Sequence, residues 1–243
     1  MVPLEKASEI ESAGGKAASL ARLIQAGFRV PQGFVITTGS EMKMNSKLEA
    51  QILDQFDKME AEKVAVRSSA VAEDGKNDAW AGQFDTFLNI KRHDLIKTIK
   101  KCWGSAGSER AKAYAKNKGI KSGAVAVIVQ EMVPSEVAGV AFSVHPVTQN
   151  EQDVVIEAVR GLGEKLVSGT ATPDTYVINK ESLDIETDRA ASNQPILNKT
   201  ELTEITRQIV KIEELYGLPV DVEWAFAKNM LYILQSRPIT TLG

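Results

Sequence analysis

Toward its C-terminus the chain places acidic and amide oxygens and a guanidinium at strand spacing. Val220, Val222, Trp224 and Phe226 alternate with Asp221, Glu223 and Ala225, so the two sets face opposite sides of a strand. The run Lys228-Asn229-Met230 fits a three-residue hairpin loop, because Asn229 tolerates a left-handed backbone. That loop pairs Ala227 with Leu231, Glu223 with Gln235 and Asp221 with Arg237. A slip of one residue sets Glu223 against Leu234 and Trp224 against Ile233; pairing polar with polar favours the first register. Oxygen ligands of this kind suit magnesium, which takes one or two protein groups and leaves the rest to phosphate and water. An arginine beside the ion can hold a phosphate bidentately. An ordinary surface salt bridge between Asp221 and Arg237 accounts for the same spacing.

Gly14-Gly15-Lys16 opens a helix-forming run and could offer backbone N–H groups and an ammonium to an anion. It is not a P-loop, since Ile10 and Ala17 stand where glycine and a hydroxyl residue are required. Gly161-Leu162-Gly163-Glu164 lacks the third glycine of the dinucleotide fingerprint. Helix capping explains either segment equally well. Arg67-Ser68-Ser69-Ala70, followed by Ala81-Gly82-Gln83, sends a cation from a strand end into a loop of hydroxyls and acids. Such loops commonly hold phosphate, and a solvated loop is the competing reading.

The elements that must position these residues follow from periodicity. Helices are expected over residues 17–24 (led into by Gly14-Gly15-Lys16 and stopped at Gly27), 41–60, 94–103, 108–118 and 201–216; the last carries Leu202, Ile205, Ile209, Ile212 and Leu215 at steps of three and four. Strands are expected over residues 30–37, 63–67, 84–90, 125–132, 139–143, 153–158, 175–179, 219–226 and 231–235. Residues 68–78 read as a polar loop. The first half is mixed and the second is sheet-rich, which predicts α+β lobes of residues 1–120 and 121–243 with a soft boundary.

The 243 residues are enough for one large domain or two small lobes. A formal net charge of −3 argues against nucleic acid or an anionic membrane as the main partner. The single cysteine, Cys102, allows no internal disulfide and no cysteine-based zinc cluster. Residues 1–13 lack the apolar core of a signal peptide, and the longest apolar run, residues 124–129, is too short to span a bilayer. A reducing cytoplasm is the expected setting.

Further stretches join those above in a fixed order. They are Val30-Pro31-Gln32-Gly33-Phe34, Val66-Arg67-Ser68-Ser69-Ala70, Ala81-Gly82-Gln83-Phe84-Asp85-Thr86 and Val129-Gln130-Glu131-Met132-Val133. Gly139-Val140-Ala141-Phe142-Ser143, Pro173-Asp174, Asp221-Val222-Glu223-Trp224 and Gln235-Ser236-Arg237-Pro238 follow. With Gly14 to Leu20 and Gly161 to Glu164, they resemble the nucleotide-binding domain shared by phosphoenolpyruvate synthase, pyruvate phosphate dikinase and rifampicin phosphotransferase, over nearly the whole chain.

That resemblance implies an ATP-grasp fold of two lobes with the nucleotide bound between them. It assigns Lys16 and Arg67 to the ATP phosphates, with Arg67 also stabilising charge on the transferred group. Gly82 and Thr86 belong to a loop over the phosphates, and Gln130, Glu131, Met132 and Val133 to the hinge. The backbone at Glu131 and Val133 reads the adenine edge. Glu223 and Gln235 hold magnesium, and Arg237 contacts the terminal phosphates.

In that family a phosphohistidine domain takes a phosphoryl group from the ATP domain to a small-molecule acceptor. Here it is expected in trans or outside this sequence. Of the chain's own histidines, His93 in Lys91-Arg92-His93-Asp94 reads as a solvated helix start, and His145 in Ser143-Val144-His145-Pro146 reads as a turn residue without the threonine- and glycine-rich surroundings of the family's phosphorylated histidine. The stretch between Ser40 and Lys63 is short for the family. A stand-alone ATP-binding regulatory module is the alternative reading. An ATP-grasp ligase is a third, marked by ADP and an acyl phosphate where a dikinase releases AMP.

Overall fold

The computed structural model describes residues 1–38, 44–70, 86–106, 125–167, 169–189, 191 and 194–239. They divide into two compact units, Met1–Gly27 with Pro31–Met132, and Phe28–Val30 with Val133–Gly243.

The first unit runs β1 (Val2–Pro3), α1 (Ile10–Ala13), α2 (Gly15–Gln25), β2 (Gly33–Ile36), α3 (Ser46–Lys58), β3 (Val64–Ala70), β4 (Thr86–Ile90), α4 (Leu95–Ala106) and β5 (Val125–Glu131). Among the described residues its strands form one sheet in the order β1-β2-β5-β3-β4, with every neighbouring pair antiparallel. One face supplies Phe34, Ile36, Val64, Val66, Val127 and Val129 to a core closed by Ile52 and Phe56 of α3 and by Ile99 and Trp103 of α4. The other face carries Ala65, Arg67 and Ser69 at alternate positions of β3.

Two expectations change here. The helix expected from residue 41 begins at Ser46, because Asn45 caps it by accepting the Leu48 N–H at 2.9 Å. The loop expected from Ser68 is strand through Ala70, because Val125, Ala126 and Val127 of β5 provide ladder partners for Ala70, Ser69 and Ser68. The helix expected over residues 108–118 lies outside the described residues.

The second unit runs β6 (Val137–Phe142), β7 (Asp153–Arg160), α5 (Glu164–Val167), β8 (Asp174–Asn179), β9 (Ile185–Arg189), α6 (Lys199–Tyr216), β10 (Val220–Ala227) and β11 (Met230–Pro238). Its antiparallel sheet has the order β11-β10-β6-β7-β8-β9 among the described residues. Strand β9 was not expected. Helix α6 starts with a capping box between Asn198 and Glu201 and stops at left-handed Gly217. It buries Leu202, Ile205, Ile209 and Ile212 and packs on β10, β6 and β7. Ala141, Ile156, Tyr176, Val222 and Trp224, all fully buried, form the sheet face on that side. The opposite face carries Val140, Phe142, Glu157, Asp221 and Glu223, all only partly buried.

Among the described residues no helix is long and apolar enough to cross a membrane.

Candidate functional site

The β10–β11 hairpin sets out its polar groups through two local devices. The turn is two residues long, with Ala227 opposite Met230 and both Lys228 and Asn229 at positive φ, 51° and 58°. Turns of this hand match the twist of the flanking strands. The expected three-residue loop is therefore one residue too long. A bulge at Leu234 absorbs the difference: Trp224 faces Ile233, yet Glu223 faces Gln235, Val222 faces Ser236 and Asp221 faces Arg237. The register at the polar end is the expected one, and near the turn it is the one-residue slip.

Arg237 donates from Nε to Asp221 Oδ2 at 2.7 Å and reaches the same oxygen with Nη2 at 2.6 Å. The pair is unequal in exposure, with 13% of the Asp221 side chain accessible against 39% of Arg237. Burial pushes the Asp221 carboxyl above its ordinary range; Arg237 pulls it back, and the nearby Glu223 charge pushes it up again.

Gln235 is 6% exposed, and its Oε1 is buried with no hydrogen-bond partner among the described residues. An amide oxygen left in that state is costly unless a ligand completes it. The half-buried Glu223 lies directly across the ladder. No cluster of three or more His, Cys, Asp or Glu side chains able to hold a metal exists among the described residues. One carboxylate and one amide oxygen therefore fit a magnesium ion whose remaining positions go to phosphate and water, and do not fit an all-protein cage.

In the first unit, strand β3 and the start of α2 are locked together. Gly14 has φ 79°, and a Cβ there would lie 2.2 Å from the Ser69 carbonyl oxygen, so the backbones approach more closely than any side chain allows. Ser69 Oγ accepts the Ala17 N–H at 3.1 Å and satisfies one of the orphan donors of the helix start. Lys16 sits half-buried in that first turn. Arg67, 8% exposed, lies two residues before Ser69 on the same face of β3 and pairs across the ladder with Thr86 on one side and Ile128 on the other. Thr86 is exposed, and Gly82 lies outside the described residues.

Gln130 is buried beside Ala65 and Gly33 and donates to the Pro31 carbonyl at 3.4 Å. The Glu131 N–H is committed to Gln32 O at 2.9 Å and the Met132 N–H to Lys63 O at 3.0 Å. Val133 O accepts the Ser135 N–H at 2.8 Å. In the second unit Val133 joins Ala138, Ala225 and Ala227 in an apolar cluster with Tyr232 and Leu234 packed against it.

Both histidines have local work. His145 Nδ1 accepts the Val147 and Thr148 N–H groups, both at 3.2 Å, as a turn residue does. His93 is exposed and paired with Asp94 at 3.0 Å. Ser69 falls in the stretch that reads as loop, and Glu157 in one that reads as strand, where alternation with the buried Ile156 and Ala158 puts it on the opposite face.

A family model described as pyruvate phosphate dikinase, AMP/ATP-binding domain, matches residues 39–192 and 184–243. A probable phosphoenolpyruvate synthase of Methanocaldococcus jannaschii is 33% identical over a stretch that takes in 96% of this chain and 26% of that protein. An uncharacterized phosphotransferase, YvkC of Bacillus subtilis, is 34% identical over 98% of this chain and 34% of its own length. This chain thus spans about a quarter to a third of the length of those relatives. A Pyrococcus horikoshii protein of solved structure is similar in fold, with a TM-score of 0.52 at 15% identity over 94% of this chain and 93% of that one.

Proposed function

The chain belongs to the pyruvate phosphate dikinase AMP/ATP-binding domain family, and on that premise we propose that it binds ATP with magnesium and delivers a phosphoryl group to a histidine on a separate domain or chain. Its fold is α+β of the ATP-grasp type. The observation that carries the proposal is the buried Gln235 Oε1, without a hydrogen-bond partner among the described residues, directly across the ladder from Glu223 and two ladder pairs from the Asp221–Arg237 contact on the same face.

Each residue has a stated part. Glu223 and Gln235 supply the two protein oxygens for magnesium. The ion, when bound, offsets phosphate charge and orients the transferred group. Arg237, steadied by Asp221, contacts the terminal phosphates, where its planar fork suits bidentate binding. Lys16 and Arg67 bind phosphates from the first unit, and Thr86, across the ladder from Arg67, covers them together with Gly82. Gln130, Glu131, Met132 and Val133, the end of β5 and the two residues after it, form the hinge that reads the adenine. The Glu131 and Met132 N–H groups are already spent, so that reading falls to carbonyl oxygens and to the Val133 N–H.

In the transfer the P–O bond between the α-phosphate and the β-phosphorus of ATP breaks, its electron pair stays on the AMP oxygen, and an imidazole nitrogen lone pair forms the P–N bond to the β-phosphorus. Water then cleaves off the terminal phosphate as inorganic phosphate, leaving one phosphoryl group on the histidine. Positioning and charge neutralisation by Lys16, Arg67 and Arg237 are the chain's contribution. The histidine domain then passes the group to a small-molecule acceptor such as pyruvate. A cytoplasmic setting is part of the same proposal.

Calorimetric titration of the chain with ATP, with and without magnesium, tests the binding half. Saturable, magnesium-dependent binding is expected, and no binding at millimolar ATP would remove the basis of the proposal. Transfer to a supplied phosphohistidine domain, with AMP as product, tests the other half.

A further inference from the structure

One serine pins both backbone groups of the residue before Asp221. Ser143, fully buried, directly follows β6, one step past the last ladder pair between Phe142 and Asp221. Its N–H donates to the Val220 carbonyl at 2.9 Å, and its Oγ accepts the Val220 N–H at 2.8 Å. The hydroxyl thus stands where the next rung of the ladder would put a backbone carbonyl. A serine hydroxyl has one proton and rotates to suit its partners. Here that proton goes to Glu213 Oε1 of α6 at 2.8 Å, which leaves a lone pair turned to Val220. The other Glu213 oxygen accepts from Lys180 Nζ at 2.5 Å, and the two side chains are only 22% and 14% exposed.

Glu213 is misplaced by the rules of its own helix. It lies in the last turn of α6, where no basic residue offsets it, and a carboxylate there opposes the helix dipole. A residue held against its local preference points to a task outside its element. That task is not contact with a ligand on the polar face. Ser143 continues the alternation of Gly139 and Ala141, on the side of the sheet that α6 covers. What the network fixes is the backbone that carries Asp221, and Asp221 Oδ2 accepts both Nε and Nη2 of Arg237. Any shift of that carboxylate moves the guanidinium with it.

Resting on the assignment of Arg237 to the terminal phosphates, we infer that Ser143 and Glu213 are positioning residues for that arginine. Acting through Val220 and Asp221, they set the preference of the site for a nucleotide that carries terminal phosphates. Lys180 offsets the Glu213 charge and ties the same network to the end of β8.

The test is titration of the full chain with ATP and with AMP at saturating magnesium, for wild type, Glu213→Ala and Glu213→Gln. The wild type is expected to favour ATP. Glu213→Ala is expected to weaken ATP binding about tenfold, the usual scale of a hydrogen bond to a charged group, with AMP binding as in the wild type. Glu213→Gln, which leaves one acceptor oxygen for two donors, is expected to fall between. Adding Glu213→Ala to Arg237→Ala is expected to change the ratio of ATP to AMP affinity no further, because both act through one guanidinium. Thermal melts check that the fold survives. Ser143→Ala cuts the same link without touching the Lys180–Glu213 pair and replaces Glu213→Ala if that variant does not fold. A loss shared equally by ATP and AMP, or a further fall in the double variant, overturns the assignment. A wild type that prefers ATP while the single variants keep that preference sinks this assignment alone. A wild type that binds no nucleotide sinks it together with the functional reading.

Discussion

Arg237 holds a single oxygen of Asp221, with Nε at 2.7 Å and Nη2 at 2.6 Å. The carboxyl is nonetheless raised above its ordinary value of 3.8, because burial and the Glu223 charge outweigh the arginine. Between 3.8 and the raised value the folded chain therefore binds more protons at this site than the unfolded chain. Stability contributed by Asp221 falls as pH rises through that interval. Chemical denaturation at a series of pH values should show wild type losing ground to Asp221→Asn from about pH 4 upward. A wild type that gains on the variant over the same range would refute the argument.

Gln235→Leu separates stability from function. It removes a buried amide oxygen that has no partner among the described residues. The ligand-free chain is expected to gain about 1 kcal/mol, or roughly 2–4 °C in melting temperature. Magnesium-dependent tightening of ATP binding is expected to disappear in the same variant. Destabilisation together with unchanged magnesium dependence would show that the amide serves packing alone.

Gly14→Ala is expected to destabilise by more than about 1 kcal/mol, because it combines a positive φ with a 2.2 Å approach to backbone. Ser69→Ala removes the acceptor for the Ala17 N–H and should cost about 1 kcal/mol, the scale of a lost helix cap. Equilibrium unfolding of both variants measures this. A neutral Gly14→Ala would show that α2 can move away from β3.

Glu223→Ala and Arg67→Ala are each expected to lower phosphoryl transfer to a supplied histidine domain by about 10²-fold or more. Single-turnover rates with radiolabelled ATP give the number. Transfer undiminished in both variants would remove these residues from the chemistry.

The polar end of the hairpin was legible in the sequence because strict alternation of Asp221 and Glu223 with Val222 and Trp224 leaves one way to face a polar partner strand. The turn was not, because a positive φ at Lys228 carries no compositional mark and the bulge at Leu234 breaks no pattern. Ser68 and Ser69 looked like loop because serine has little strand preference of its own. Their strand character comes from Ala126 and Val127, far along the chain. Asn45 is a cap by residue type, but the charged residues before it extend the helical composition to an earlier start. Glu157 shares a sheet face with Glu223 two strands away, which only the order of β10, β6 and β7 reveals, and strand order is not written in any single segment.

The extra residue at Leu234 makes the hairpin a vernier. The turn end is graduated by backbone chirality and the far end by the need to align Glu223 with Gln235, and the bulge lets the two scales differ by one division. A turn one residue longer would be absorbed by losing the bulge, leaving the polar face in alignment. Deleting Leu234 removes that play. Gln235 would then follow Ile233 directly and still face Glu223, so any later one-residue change in the turn would carry Gln235 and Arg237 to the opposite side of the strand, toward α6.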